Sequence, residues 1–170
     1  GILVIGTPAQ PNRRIAWFDR NGHLEETISP PPGELGRMRI SPDGTRVAVS
    51  CRSGENSSDL WLVELKRGAP TRLTFGPGTN DKPVWSPDGK RIAFVTDRGP
   101  NTDFERLIWG NFRVAFIDIA TKRIDMPESM AIGRNVSPQW SGDGQSLAFV
   151  SDRNGVNNVF LYEAADGEAY

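Results

Sequence analysis

Several kinds of residue are scarce in this sequence, and each shortage excludes a class of protein. A single cysteine, Cys51, cannot form a disulfide within the chain. The sequence has no cysteine or histidine cluster for zinc, and its one histidine, His23, lacks the motifs that accompany a catalytic triad. No apolar run approaches the roughly 20 residues of a transmembrane helix. The formal net charge of −1 provides no basic field for nucleic acid or an anionic membrane surface, so neither is a predicted partner.

Glycine and proline are abundant instead, and they recur in a repeated turn. Ser-Pro-Asp-Gly occurs at 41–44 and 86–89, and Ser-Gly-Asp-Gly occurs at 141–144. Proline fixes φ at the second position, aspartate can bond its own backbone, and glycine accepts positive φ, so each copy predicts a tight turn. A short apolar segment precedes each turn and a β-rich segment follows it, as in Arg-Val-Ala-Val-Ser at 46–50. This order predicts a β-hairpin.

A second predicted hairpin follows each copy of the first. It occupies residues 59–75 and 112–127 and begins again at 157–170. An earlier copy lies at 13–28, and residues 2–5 resemble the strand that would precede it. Two hairpins in succession make a four-stranded antiparallel unit, and that unit recurs along the whole chain.

The spacing of the units is typical of a β-propeller. The interval from Ser41 to Ser86 has the length of one propeller blade. The interval from Ser86 to Ser141 is longer because residues 100–110 enlarge the loop between the second and third strands. We therefore predict an all-β fold, a β-propeller of four-stranded antiparallel blades with about 3.5–4 blades present. Residues 1–170 form one propeller segment, which divides into a partial blade (1–29), two blades (37–75 and 82–127) and a second partial blade (136–170).

Three segments carry a resemblance to a known family. Residues 85–99 (WSPDGKRIAFVTDRG), 59–75 (DLWLVELKRGAPTRLTF) and 17–28 (WFDRNGHLEETI) resemble the WD40-like repeats of TolB-type β-propellers. The resemblance covers essentially the whole chain. Propellers of that type are closed rings of about six blades, so the resemblance implies an arc of a larger, six-bladed-type propeller or a truncated gene product. It also implies a bacterial protein with a periplasmic or extracytoplasmic location, although residues 1–6 are too short for a signal peptide.

No catalytic site and no bound cofactor are predicted within the chain. The G-x-S-x-G motif of hydrolases is absent, so the chain itself is not predicted to be an enzyme. Asp43, Asp88 and Asp143 are explained by the chemistry of the turns, and the spacing of a calcium-binding EF-hand loop is absent. Calcium held by propeller loops stays open as an alternative.

The candidate partner-binding residues follow the second strands of the predicted blades. Arg52, Arg98 and Arg153 hold similar positions in three copies and should lie on one face of the propeller. Two interpretations remain open. Each arginine pins its own loop or bridges to the next blade, or the arginines form a partial ring for a partner carboxylate or peptide terminus. The enlarged loop adds Phe104 and Trp109, since an aromatic side chain on an extended loop is a typical interaction anchor.

These features favour a non-catalytic, TolB-like scaffold for protein–protein interaction. The alternative is an accessory propeller domain of an enzyme. That domain would gate substrate in a peptidase of the prolyl-oligopeptidase or tricorn type, or serve as the extracytoplasmic sensor of a bacterial Ser/Thr kinase. A structural fragment without an independent role is a third hypothesis. We also expect the terminal blades to present apolar faces, which would promote self-association of the open arc.

Overall fold

A computed structural model describes residues 2–5, 15–54, 57–66, 69–99, 102–103 and 110–170 of the chain. These residues form fourteen strands in four antiparallel sheets, in which each strand pairs with the next along the chain. The first sheet contains β1 (Ile2–Ile5), β2 (Ile15–Phe18) and β3 (Leu24–Ile28). The second contains β4 (Glu34–Ile40), β5 (Arg46–Gly54), β6 (Ser57–Glu64) and β7 (Pro70–Arg72). The third contains β8 (Asn80–Trp85), β9 (Arg91–Thr96), β10 (Arg113–Asp118) and β11 (Ile124–Asp125), and the fourth contains β12 (Asn135–Trp140), β13 (Ser146–Ser151) and β14 (Asn158–Glu163).

The predicted all-β propeller architecture is confirmed. The two middle sheets have four strands, and the first and last sheets have three. A bridge between Tyr162 and Ala169 adds the beginning of a fourth strand to the last sheet. A single turn of 3₁₀ helix, α1 (Glu128–Met130), lies between the third and fourth sheets.

The repeated turns have the predicted chemistry. In the first turn, the Ser41 hydroxyl donates to the Asp43 Oδ1 atom at 2.5 Å and accepts from the Arg46 N–H at 3.0 Å. Gly44 has φ of 70°, in the left-handed region that glycine enters without strain. The turns that begin at Ser86 and Ser141 have the same serine–aspartate hydrogen bond. Hydrogen bonds within each turn therefore define all three hairpins locally.

The turn carboxylates should make the stability of the fold depend on pH below about pH 4. Hydrogen bonds from the Ser41 hydroxyl and the Thr45 N–H lower the pKa of Asp43 from 3.8 to about 2, and equivalent bonds lower the pKa values of Asp88 and Asp143. A carboxylate with a depressed folded-state pKa stabilises the fold above its unfolded pKa, and that stabilisation is lost as the pH falls towards the folded pKa. We expect the melting temperature to fall between about pH 4 and pH 2.

The triple variant Asp43→Asn, Asp88→Asn and Asp143→Asn tests this prediction, because the amide oxygen can still accept the turn hydrogen bonds but does not titrate. Calorimetric melting temperatures measured across the same interval should give a shallower slope for the variant. Equal slopes for the variant and the wild-type chain would contradict the prediction.

Three apolar clusters join the sheets in sequence. Side chains alternate along each central strand, so successive residues reach opposite neighbours. In β5, Val47 and Val49 pack towards the first sheet, whereas Ala48 packs towards the third. In β9, Phe94 packs towards the second sheet and Ala93 towards the fourth. The two middle sheets are thus covered on both faces, as blades of a propeller are.

The junction between the second and third sheets and the junction between the third and fourth sheets each contain a tryptophan from the strand before the turn. Trp85 donates its Nε1–H to the backbone oxygen of Arg39 at 3.0 Å, and the Arg46 guanidinium lies 5.0 Å from the Trp85 ring centroid. Arg91 lies 5.2 Å from the Trp140 ring centroid in the same way. These cation–π contacts each join an arginine of one sheet to a tryptophan of the next.

The outer face of the fourth sheet differs from the matching faces of the two middle sheets. Leu60, Val114 and Val159 hold equivalent positions on the third strands, opposite Ser50, Val95 and Val150. Leu60 and Val114 are fully buried, whereas Val159 is 70% exposed. Leu161 on the same face is also exposed. This apolar face is the surface that a further blade would cover. The described part of the chain contains no helix with the length and apolar character needed to cross a bilayer.

Candidate functional site

Two sets of loops lie side by side at one end of the sheets. The Ser58 N–H donates to the Gly78 oxygen at 3.1 Å, which joins the start of β6 to the loop before β8. The Thr79 N–H donates to the Asp97 Oδ1 atom at 2.7 Å, and the Arg134 N–H donates to the Asp152 Oδ1 atom at 2.7 Å. We call this end of the sheets the loop face. It contains the loops between second and third strands and the connections between consecutive sheets.

A buried carboxylate organises the loop face between the second and third sheets. Asp59 is 1% exposed and accepts a hydrogen bond from the Thr74 hydroxyl at 2.8 Å. It also accepts hydrogen bonds from the Nη2 atoms of Arg72 and Arg98, the latter at 3.2 Å. Several charge-assisted donors offset the cost of burying the carboxylate. Arg98 belongs to the third sheet, so Asp59 joins two sheets.

Arg98 is largely committed to this junction. Its Nη1 atom donates to the Phe75 oxygen, and its Nη2 atom donates to the Gly76 oxygen at 2.8 Å. Together with Asp59, these contacts attach Arg98 to the preceding sheet. Arg98 therefore bridges two neighbouring sheets, as the first of the two interpretations of the arginines states.

Arg153 has a different environment from Arg98. Its guanidinium carbon lies 4.6 Å from the Phe160 ring centroid and 5.2 Å from that of Phe149. The Nε atom donates to the Ser151 hydroxyl at 3.3 Å, and burial lowers the pKa of Arg153. Among the described residues, its buried Nη2 atom has no hydrogen-bond partner. Arg153 thus stacks on aromatic rings within its own sheet.

The predicted equivalence of the three arginines is wrong for Arg52. The structure continues β5 to Gly54, so Arg52 lies within the strand, paired with Ser58, and is exposed. Arg52 occupies the position that Asp97 and Asp152 hold after the other second strands. Phe104 and Trp109 lie outside the described residues.

The first strands of three sheets surround an opening with a basic lining. Arg37, Arg39 and Lys82 line it together with Ser137 and residues next to these positions. Arg37 lies 3.7 Å from the Asp81 carboxylate through its Nε atom. The positive charge of this opening can attract an acidic segment of a partner.

Two residues of this opening that sequence reasoning missed, Lys82 and Ser137, lie on β-bulges. The pairing of β8 shifts between Asp81 and Val84, and that of β12 shifts between Val136 and Gln139. Lys82 has φ of 55° within the first bulge, a left-handed conformation that is costly for a non-glycine residue. The signal in the sequence was a proline within the strand, Pro83, because proline cannot donate to a sheet ladder and is found at bulges.

The described residues contain no group of three or more histidine, cysteine, aspartate or glutamate side chains placed to hold a metal ion. Cys51 is buried, and its Sγ atom donates to the Pro32 oxygen at 3.0 Å. Burial raises the pKa of the thiol, which disfavours the reactive thiolate. Cys51 therefore has the environment of a structural residue.

The fold matches a solved propeller over nearly its whole length. TolB from Acinetobacter baumannii superposes with a TM-score of 0.75 and 21% sequence identity, and the match covers 98% of this chain and 39% of that chain. The fold is that of a TolB-type β-propeller. The four sheets correspond to part of such a propeller, as the resemblance in the repeats implied.

Curated proteins with similar sequences are named as peptidases. The uncharacterized peptidase YuxL of Bacillus subtilis (strain 168) is 32% identical over 114 residues, which cover 64% of this chain and 16% of that protein. The probable dipeptidyl-peptidase 5 of Arthroderma benhamiae is 28% identical over 159 residues, which cover 82% of this chain and 21% of that protein. The propeller thus spans about a fifth of the length of these relatives. No family model matches the chain.

Proposed function

We propose that the chain is a non-catalytic propeller domain of a peptidase, and that its loop face receives polypeptide substrate for a hydrolase domain elsewhere in the parent protein. The observation that carries this proposal is the similarity of the repeats to two proteins named as peptidases, at 32% and 28% identity. The absence of a G-x-S-x-G motif from the 170 residues supports a non-catalytic role for this segment.

The geometry of the loop face supports contact with a polypeptide. Arg153 has a buried Nη2 atom without a partner among the described residues, and guanidinium groups are suited to donate to peptide carbonyl and carboxylate groups. The basic opening lined by Arg37, Arg39 and Lys82 lies beside the first strands and offers a further positively charged surface to a polypeptide. Phe104 and Trp109 stay the predicted aromatic anchors, and Arg52 and Arg153 stay the predicted polar contacts. Arg98 would contribute through its junction with Asp59.

A second candidate is a TolB-like scaffold for protein–protein interaction in the periplasm or another extracytoplasmic compartment. The match to TolB over 98% of the chain favours it. In this case the loop face would bind a folded partner rather than a substrate. The exposed face of the fourth sheet would promote self-association of the isolated chain under either proposal.

A fluorophosphonate probe, which labels activated serine nucleophiles, separates the two candidates. We expect the full-length parent protein to be labelled and to hydrolyse dipeptidyl nitroanilides, and we expect the 170-residue chain to do neither. Labelling of the 170-residue chain would contradict its non-catalytic role. A parent protein that is neither labelled nor active would exclude the peptidase proposal and favour the scaffold.

A further inference from the structure

Arg113 occupies the place in the third sheet that Asp59 occupies in the second. Asp59 pairs with Cys51, and Arg113 pairs with Thr96, so each is opposite the equivalent residue near the end of a second strand. In the second sheet this position holds a buried anion that binds two arginines. In the third sheet the same position holds a buried cation. The anionic partner found at one junction is therefore replaced by an arginine at the next.

The chain itself provides Arg113 with weak partners. Arg113 is 6% exposed, and its Nη2 atom lies 3.4 Å from the Pro127 oxygen and 3.8 Å from the Glu128 Oε1 atom. The Glu128 side chain is 90% exposed, so solvent screens this ion pair. Within the described part of the chain, the buried Nε atom of Arg113 has no hydrogen-bond partner. Buried guanidinium donors of this kind gain substantially from a charged acceptor.

A pocket on the loop face gives access to this guanidinium. Its lining consists of Gly99, Thr102, Gly110, Asn111, Arg113, Glu128 and Ala131. A Cβ atom at Gly99 would lie 3.7 Å from the Arg113 Nη1 atom, so a longer side chain there would cover the guanidinium. The Thr102 hydroxyl accepts from the Gly110 N–H at 3.0 Å and holds the opposite wall in place.

We propose that this pocket binds a carboxylate group of a polypeptide, with Arg113 at its base. The Nε and Nη2 atoms form one edge of the guanidinium, and two parallel N–H groups on such an edge match the two oxygens of a carboxylate. Glu128 in the pocket lining disfavours a doubly charged phosphate, whereas a singly charged carboxylate can replace the exposed Glu128 side chain as the partner of Arg113. The inference rests on the proposed function only for the choice of a polypeptide as the source of the carboxylate.

Titration of the ¹⁵N-labelled 170-residue chain with three small probes tests the site. The probes are N-acetyl-glycylglycine, its C-terminal amide, and N-acetyl-aspartate amide, which carries only a side-chain carboxylate. We expect saturable shifts of the Arg113 Nε–H signal and of the Gly99 and Gly110 amides with one or both acids. The neutral amide should bind at least about tenfold more weakly, as expected for loss of a charge-assisted hydrogen-bonded pair. The relative affinities of the two acids show whether a chain terminus or an acidic side chain is preferred.

Variants at Arg113 and Glu128 distinguish binding from a structural role of Arg113. Arg113→Gln should lose the preference for the acids. If that variant does not fold, Arg113→Lys replaces it, and because lysine keeps the charge we expect a weaker preference for the acids to remain. Glu128→Gln removes the competing carboxylate and should strengthen acid binding about two- to fivefold. Arg123→Gln, at an exposed arginine in the turn between β10 and β11, is the matched control and should leave binding unchanged.

Three results would overturn the inference: no shift with either acid, equal binding of acid and amide, or acid binding that survives Arg113→Gln in a folded chain. If Arg113 had only a structural role, the Glu128→Gln substitution would not raise the affinity of the chain for the acids. The probes need no catalytic domain, so a parent protein that fails the fluorophosphonate test leaves this result intact. Conversely, a labelled parent whose propeller binds no acid would refute the site alone.

Discussion

The Asp59→Ala variant should unfold with a free energy about 3 kcal/mol lower than that of the wild-type chain. The substitution removes the carboxylate that Arg72, Thr74 and Arg98 share, and it leaves two guanidinium groups at a sheet junction without this counter-charge. Both arginines are partly exposed, so solvent screening keeps the loss near the lower end of the range for broken buried pairs. For a domain of this size the melting temperature should fall by about 6–12 °C.

Chemical denaturation followed by circular dichroism measures this effect, and a double-mutant cycle assigns it. Arg98→Ala alone should cost less than Asp59→Ala, because Arg72 still neutralises Asp59. The double variant should be more stable than the sum of the two single effects predicts, since the two residues interact directly. Additive effects would show that the contact between Asp59 and Arg98 does not join the sheets energetically.

Leu60→Ala should lower the free energy of unfolding by about 2–5 kcal/mol. Leu60 is fully buried in the cluster between the second and third sheets, where it packs with residues such as Ile92 and Phe94. Truncation removes its contacts and leaves a cavity, because the sheets on either side are held by their own ladders and cannot close the gap.

The repeat supplies a matched control for this substitution. Val159 holds the position equivalent to Leu60 but is 70% exposed on the outer face of the fourth sheet, so Val159→Ala should change the free energy of unfolding by less than about 0.5 kcal/mol. Urea denaturation of both variants at low protein concentration gives the comparison. Similar losses for the two variants would mean that the fourth sheet is covered in solution, for example by another copy of the chain.

Features that depend on a few neighbouring residues could be predicted from the sequence. The turn at Ser41 is specified by serine, aspartate and glycine within four residues, and the alternation of strands follows from the apolar segments around it. The number and order of strands followed from counting these units. Local chemistry was therefore sufficient to predict the propeller architecture.

Features that join distant residues could not be predicted in the same way. The Asp59 cluster depends on Arg98, which is brought close only when two sheets pack. Arginine is usually exposed, and nothing in the sequence next to Arg113 indicates that this side chain is buried. The position of Arg52 is different, because counting from the turn serines aligns Arg52 with Asp97 and Asp152 in the sequence itself.

The difference between Asp59 and Arg113 also restricts how a repeat protein of this kind could evolve. If a gene duplication placed a copy of the third sheet directly after itself, the Arg98 of the new copy would approach Arg113 instead of an aspartate. Two cations would then meet at a largely dehydrated position, which is strongly unfavourable. Single repeats of this chain are thus not interchangeable. The charge of the residue at each sheet junction restricts which repeat can follow which along the gene.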